Sequence, residues 1–127
     1  MRGHARWLFG CAAAFNLLVG LAVLFARGLL VPALKLAPIE GTQVVFANLC
    51  GAFIALFGVA YALIARDPVG YRPYIGLGAA GKLFAIVVVA LPWMQGTIDA
   101  RIPMLTGGDL VFAALFIAFL RRYPASA

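Results

Sequence analysis

Residues 44–65 read VVFANLCGAFIALFGVAYALIA, and the only strongly polar residue among them is Asn48. An α-helix needs about 20 apolar residues to cross the hydrocarbon core of a bilayer. This stretch has that length, and Arg66, Asp67 and Pro68 end it. It therefore predicts a transmembrane helix, and the number of similar stretches decides the fold.

Three further apolar runs accompany it, which predicts an all-α, four-helix membrane bundle. The predicted helices cover about residues 7–26, 44–65, 74–93 and 103–120. Of the 127 residues, 65% are hydrophobic and 11% are charged, whereas roughly 25% are charged in an ordinary soluble domain. Four crossings use roughly 80 residues, so we expect residues 1–127 to form a single transmembrane domain with short loops.

The longest connection is residues 27–42, between the first two predicted helices. It is apolar, and Pro32 and Pro38 prevent it from forming one regular helix. We expect a short segment that lies in the membrane interface. Its two interpretations are a fixed cover over the end of the bundle and a movable lid.

The distribution of basic residues predicts the orientation of the bundle. Lys and Arg are more frequent in the cytoplasmic loops of membrane proteins. The two termini and the connection between the second and third predicted helices would lie on the same side of the membrane. They hold Arg2, Arg6, Arg66, Arg72, Arg121 and Arg122. The first and third connections would lie on the opposite side, and they hold Arg27, Lys35 and Arg101. We therefore predict that both termini are cytoplasmic and that the protein is a multi-pass protein of a bacterial inner membrane.

Each predicted helix carries one polar residue, and these are the candidate functional positions: Asn16, Asn48, Lys82 and Asp109. A charge at the centre of a membrane helix costs at least ~3 kcal/mol on insertion scales. Lys82 either extends its stem toward the cytoplasmic interface or is a buried cation that binds an anion, a lipid headgroup or Asp109. Asp109 either stabilises the N-terminus of its own helix or needs another partner.

A direct contact between Lys82 and Asp109 is not expected. The two helices enter the membrane from opposite faces, and side chains lean toward the N-terminus of their own helix. The two side chains should therefore lean apart, and a contact bridged by water or by Asn16 is the alternative.

Small residues on two helices predict close helix packing, because they allow backbones to approach. Asn16 shares a helix face with Ala12 and Gly20, and Asn48 shares one with Gly51, Ala55 and Gly58. The third helix adds Gly78 and Gly81. Each amide can hydrogen-bond across such a contact or line a polar cavity.

Residues 76–82 match two nucleotide-binding patterns by chance. GLGAAGK fits both G-x-G-x-x-G and G-x-x-x-x-G-K. The first pattern needs a preceding strand, and the second needs Ser or Thr after the lysine, where this chain has Leu83. With a single histidine, His4, no metal-ligand cluster is evident. We predict no catalytic site, no metal, no cofactor and no nucleic-acid partner.

The first and second halves of the chain also align with each other. Between the first and third helices, an offset of 66 residues matches Arg6 with Arg72, Gly10 with Gly76 and Asn16 with Lys82. Between the second and fourth helices, Asn48-Leu49 matches Asp109-Leu110. Such an alignment is typical either of chance in Ala- and Leu-rich helices or of a parallel repeat of two hairpins about an axis along the membrane normal.

Residues 72–85 and the stretch GGDLVFA at 107–113 resemble segments of small four-helix bacterial membrane proteins of unassigned function. The helical layout is similar to that of the broad DoxX-like group. The resemblance implies a four-helix bundle and carries over no site residue.

Two functions fit these features. The first is a non-catalytic accessory or interaction protein of the inner membrane, in contact with membrane lipid and with itself or a larger membrane protein. The second is a homo-oligomeric small transporter or channel, whose polar pathway would pass near the four polar positions. The seams of small residues favour the first function, and the intramembrane charges favour the second.

Overall fold

The computed structural model describes residues 1–126. It is all-α in this range, with five helices and no strand. Four are long: α1 is Arg2–Phe25, α3 is Gln43–Arg66, α4 is Arg72–Met94 and α5 is Arg101–Arg122. The short α2 is Arg27–Ala33. All four long helices are long and apolar enough to cross a membrane.

Each long helix starts before its predicted apolar run, and three of the four also end after it. The largest difference is at α1, which begins at Arg2 rather than Trp7. Hydropathy reports the apolar part of a helix, whereas the backbone hydrogen bonds continue through the flanking arginines. Pro73 and Pro103 occupy the first turns of α4 and α5, where the missing N–H has no intrahelical partner to lose.

The long helices form two hairpins that then pack together. α1 packs along α3, α4 packs along α5, and the contact between α3 and α4 is much sparser. A Cβ on Gly20 would lie 2.6 Å from the backbone nitrogen of Ala55 and 2.8 Å from the carbonyl oxygen of Gly51. The backbones of α1 and α3 therefore touch at this point, and only glycine fits there.

The hydrophobic core lies at one end of the bundle, which we call the termini end because α1 begins and α5 ends there. Rings from three helices make up its centre. The Phe9 and Phe116 ring centroids are 4.7 Å apart, and Tyr61 lies 5.1 Å from Phe116. Ala12 is fully buried in the same cluster. The two hairpins are therefore held together mainly at this end.

The opposite end, which we call the loop end, carries residues 26–42 and 95–100. Pro32 lies inside α2, and the chain turns at Lys35, which has a φ of 52°. An Arg101 guanidinium nitrogen donates to the carbonyl oxygen of Ala33 at 3.0 Å, and Lys35 lies 3.9 Å from Asp99. The first loop is thus fastened to the loop between α4 and α5, across the two hairpins.

The contact at Gly20 predicts the effect of adding one methyl group. Gly20→Ala should lower the free energy of unfolding by about 1–3 kcal/mol, because the new Cβ meets backbone atoms that have no room to move. Gly10→Ala on the same helix is the matched control, since nothing lies within 4 Å of its Cβ position. Denaturant unfolding in detergent, followed by circular dichroism, measures both. Equal stabilities for the two variants would contradict the close approach.

Candidate functional site

Lys82 lies near the middle of α4 and is only 3% exposed. Its ammonium nitrogen lies 2.6 Å from Asp109 Oδ1 on α5, which makes a direct ion pair. The expectation of no direct contact was therefore wrong. Because α5 begins at Arg101 and α4 continues to Met94, both residues lie near the middle of adjacent antiparallel helices. The four-carbon stem of lysine spans the remaining offset.

The interpretation of Lys82 as a residue that reaches for the interface is also wrong. Its ammonium stays inside the bundle, where it donates a second hydrogen bond to Asn16 Oδ1 at 3.0 Å. The amide nitrogen of Asn16 donates in turn to the carbonyl oxygen of Ile54 at 3.2 Å. These contacts connect α1, α3, α4 and α5. We call Asn16, Lys82 and Asp109 the polar cluster.

Asp109 does not stabilise the N-terminus of its own helix. It lies beyond the first turn of α5, which contains no acidic residue. Asp99 takes that position instead, and its carboxylate accepts a hydrogen bond from the backbone N–H of Arg101 at 3.0 Å. The Asp109 carboxylate instead faces Lys82, and the Asp109 side chain is 18% exposed.

Three aromatic rings surround the Lys82 ammonium. Its nitrogen lies 5.5 Å from the centroid of Phe15 and 5.3 Å from those of Tyr61 and Phe112. A cation over a ring face gains about 0.5–1 kcal/mol at exposed sites and about 2 kcal/mol when desolvated. Aromatic rings thus supplement the carboxylate and the amide in stabilising the buried charge.

Asn48 does not belong to the polar cluster. Its side chain is exposed near the loop end, where its carbonyl oxygen accepts a hydrogen bond from Arg27 at 2.5 Å. Arg27 also donates to the carbonyl oxygen of Val23 at 3.3 Å. The structure therefore brings together three of the four predicted polar positions and leaves the fourth as a contact between α3 and the start of α2.

The small residues lie where helices meet. A Cβ on Gly51 would contact Leu24 at 2.9 Å, and one on Gly58 would contact Leu17 at 2.8 Å. On α4, a Cβ on Gly78 would lie 2.6 Å from the Tyr61 ring, and one on Gly81 would lie 3.4 Å from Phe57. The glycines of the GLGAAGK stretch are therefore inside a helix, and two of them make room for aromatic side chains.

A cavity of about 380 Å³ adjoins the polar cluster, between the cluster and the loop end. Its walls come from all four long helices and are mostly aliphatic and aromatic. The polar side chains that line it are Asn16, Cys50, Tyr61, Lys82, Thr106 and Asp109. The hairpins meet tightly at the termini end and leave this space further along.

Sequence reasoning did not select Tyr61, Phe15 or Phe112 as site residues. Aromatic residues in an apolar helix are usually core residues, so nothing in the type of these residues indicates a charge nearby. Their positions relative to Lys82 depend on how the two hairpins rotate against each other. That rotation is a tertiary property, which periodicity along one helix does not contain.

Comparison with known proteins gave no match to a protein-family model, a curated protein or a solved structure. The resemblance of residues 72–85 and 107–113 to DoxX-like proteins stays a prediction.

The ion pair predicts strong coupling between Lys82 and Asp109. Lys82→Met and Asp109→Asn should each lower the free energy of unfolding by about 3–5 kcal/mol, because each leaves one charge buried without its partner. The double variant should lose less than the two single losses combined, by at least about 1 kcal/mol. Denaturant unfolding of the four proteins in detergent completes this cycle.

The exposed pair Lys35–Asp99 is the control for this cycle. Its nitrogen–oxygen distance is 3.9 Å, and the two side chains are 60% and 31% exposed. Surface pairs contribute about 0–1 kcal/mol, so Lys35→Met and Asp99→Asn should combine almost additively. Additive losses at Lys82 and Asp109 as well would show that the buried pair makes no net contribution.

Proposed function

We propose that this chain is a non-catalytic accessory or interaction protein of a bacterial inner membrane. Its four long helices cross the membrane, and both termini are cytoplasmic. The apolar helices support the membrane location. The orientation is supported by the arginines Arg2, Arg66, Arg72 and Arg122, which lie at helix ends on the side of the termini.

One observation carries the non-catalytic role: each member of the polar cluster has a hydrogen-bond partner within the chain. The Lys82 ammonium donates to Asn16 and Asp109, and the Asn16 amide donates to Ile54. A charge that is paired and hydrogen-bonded in this way joins helices, whereas a catalytic or transport group has to exchange partners during its cycle. The cluster thus favours a bundle whose charged residues maintain its shape.

The proposal predicts that a second protein stays bound when this protein is extracted gently from its own membranes. Native mass spectrometry should find it in a complex of fixed stoichiometry with a larger membrane protein. The complex should persist in Gly10→Ala, which changes no contact. A homodimer that carries no other protein would contradict the accessory role and favour the second function.

The second function, a homo-oligomeric transporter or channel, is supported by the cavity next to Asp109. The carboxylate is 18% exposed, and Thr106 lies one turn earlier on the same cavity wall. Asn48 contacts Arg27 and does not line this cavity, so within one chain the pathway would use Asn16, Lys82 and Asp109. Two copies would be needed to enclose it.

This function predicts that the cavity is in contact with water. In a background with Cys11→Ser and Cys50→Ser, the variants Asp109→Cys and Thr106→Cys should react with a water-soluble thiol reagent. Leu110→Cys is the control, because Leu110 is 55% exposed on the outer surface of the bundle and does not line the cavity. Thr106→Cys leaves the ion pair intact. If it is as unreactive as Leu110→Cys, no water-filled pathway passes through this cavity.

A further inference from the structure

The cavity beside the polar cluster is large enough for a small organic ligand. An engineered apolar cavity of about 150 Å³ binds benzene, and ligand pockets usually have about 300–1,000 Å³. The volume of about 380 Å³ therefore fits a molecule roughly twice the size of benzene. Apolar side chains such as Phe53, Ile54 and Val89 form most of its wall. The cavity therefore favours a ligand whose main body is apolar.

The polar groups on the cavity wall determine which polar group a ligand can carry. The Lys82 ammonium is 3% exposed and already donates to Asn16 and Asp109. The Thr106 hydroxyl donates to the carbonyl oxygen of Pro103 at 2.9 Å. The third N–H of Lys82 belongs to a buried ammonium that lies among three aromatic rings. The more accessible groups on the wall are acceptors, namely the partly exposed Asp109 carboxylate and the Thr106 oxygen.

Tyr61 adds one group that can both donate and accept. Its side chain is 1% exposed and lines the cavity. None of the hydrogen bonds found among residues 1–126 uses its hydroxyl. No fully enclosed side-chain nitrogen or oxygen among the described residues lacks a partner, so the Tyr61 hydroxyl is open to the cavity and can take a partner there. A ligand hydroxyl would provide this partner.

The net charge of the cluster excludes a charged ligand group. Lys82 and Asp109 neutralise each other at 2.6 Å. A charged ligand group would therefore add a net charge to a mostly apolar cavity whose lining offers no further charge to balance it.

We propose that this cavity binds a neutral apolar molecule that carries a hydroxyl group, with the hydroxyl at Asp109 and Tyr61 and the apolar body among the aromatic and aliphatic walls. The proposal rests on the proposed membrane location, because such a ligand arrives from lipid. Phe53 and Phe57 of α3 line both this cavity and a second, apolar cavity of about 400 Å³, so apolar surface continues from one to the other.

Alkylation of the native Cys50 can report ligand binding, so no new cysteine has to be introduced. It lines the cavity and is exposed, whereas Cys11 is exposed on α1 and does not line it. The purified full chain in detergent is treated with N-ethylmaleimide, and mass spectrometry gives the alkylation rate of each cysteine. The probe is 4-hexylphenol, and its control is 4-hexylanisole, which has the same skeleton but no hydroxyl donor.

The phenol should slow alkylation of Cys50 and leave Cys11 unchanged. Its half-protecting concentration should be roughly tenfold lower than that of the anisole, because the anisole has no hydroxyl that can donate to the Asp109 carboxylate. Ala85→Phe, which fills the cavity, should abolish protection. Val87→Phe, on the exposed face of the same helix, should retain it.

Several outcomes would overturn the proposal. Equal protection by the phenol and the anisole would mean that the cavity binds apolar bodies without using the polar cluster. Equal protection of Cys50 and Cys11 would mean partitioning into the detergent. Stronger protection by 4-hexylphenyl phosphate or by hexylamine would show that the cavity prefers a charged ligand to a neutral one. Because the chain is labelled alone, loss of a protein partner does not affect the result, so failure of the accessory role is detected separately.

Discussion

The buried charge of Lys82 is the constraint on which the arrangement of the helices depends. An ammonium in an apolar bundle is tolerated only if hydrogen-bond acceptors and opposite charge surround it. Asp109 supplies the charge, Asn16 supplies a second acceptor, and Phe15, Tyr61 and Phe112 supply ring faces. These partners come from α1, α3 and α5. Satisfying one atom on α4 therefore fixes the register of that helix against three others, which non-directional apolar packing does not do.

The two ends of the bundle are built differently, and the polar cluster lies between them. At the termini end, rings such as Phe9, Tyr61 and Phe116 fill the space between the hairpins. Toward the loop end the hairpins leave a cavity, and they are joined again through the contacts of Arg101 with Ala33 and of Lys35 with Asp99. Because the loop contacts are exposed and the core contacts are buried, most of the stability lies at the termini end. The cavity can thus exist without separating the hairpins.

The all-α fold and the four long apolar helices could be predicted from the sequence, because hydropathy over 20 residues is a local property. The approach of Gly20 to Gly51 and Ala55 follows from small residues on two helix faces. The pairing of Lys82 with Asp109 could not be predicted from the lean of side chains alone. That reasoning did not include the two additional residues at the start of α5, which place Asp109 deeper in its helix, or the reach of a lysine stem. Asn48 was grouped with the other polar residues by type, but its depth in α3 brings it to Arg27 instead. Helix rotation and depth are set by packing, which a single-helix pattern does not record.

Both charges of the pair lie in the second half of the chain, on the two helices of one hairpin. In the alignment of the two halves, Asn16 matches Lys82, and these two side chains are hydrogen-bonded to each other. Asn48 matches Asp109 in that alignment, but it lies nearer the start of its helix, so the two hairpins differ there. The first half thus has an amide at each position where the second half has a charge. A lone lysine or a lone aspartate would be buried without compensation, whereas an amide is tolerated with one neutral partner. The two charges therefore form a unit, and a change at one of them favours a change at the other.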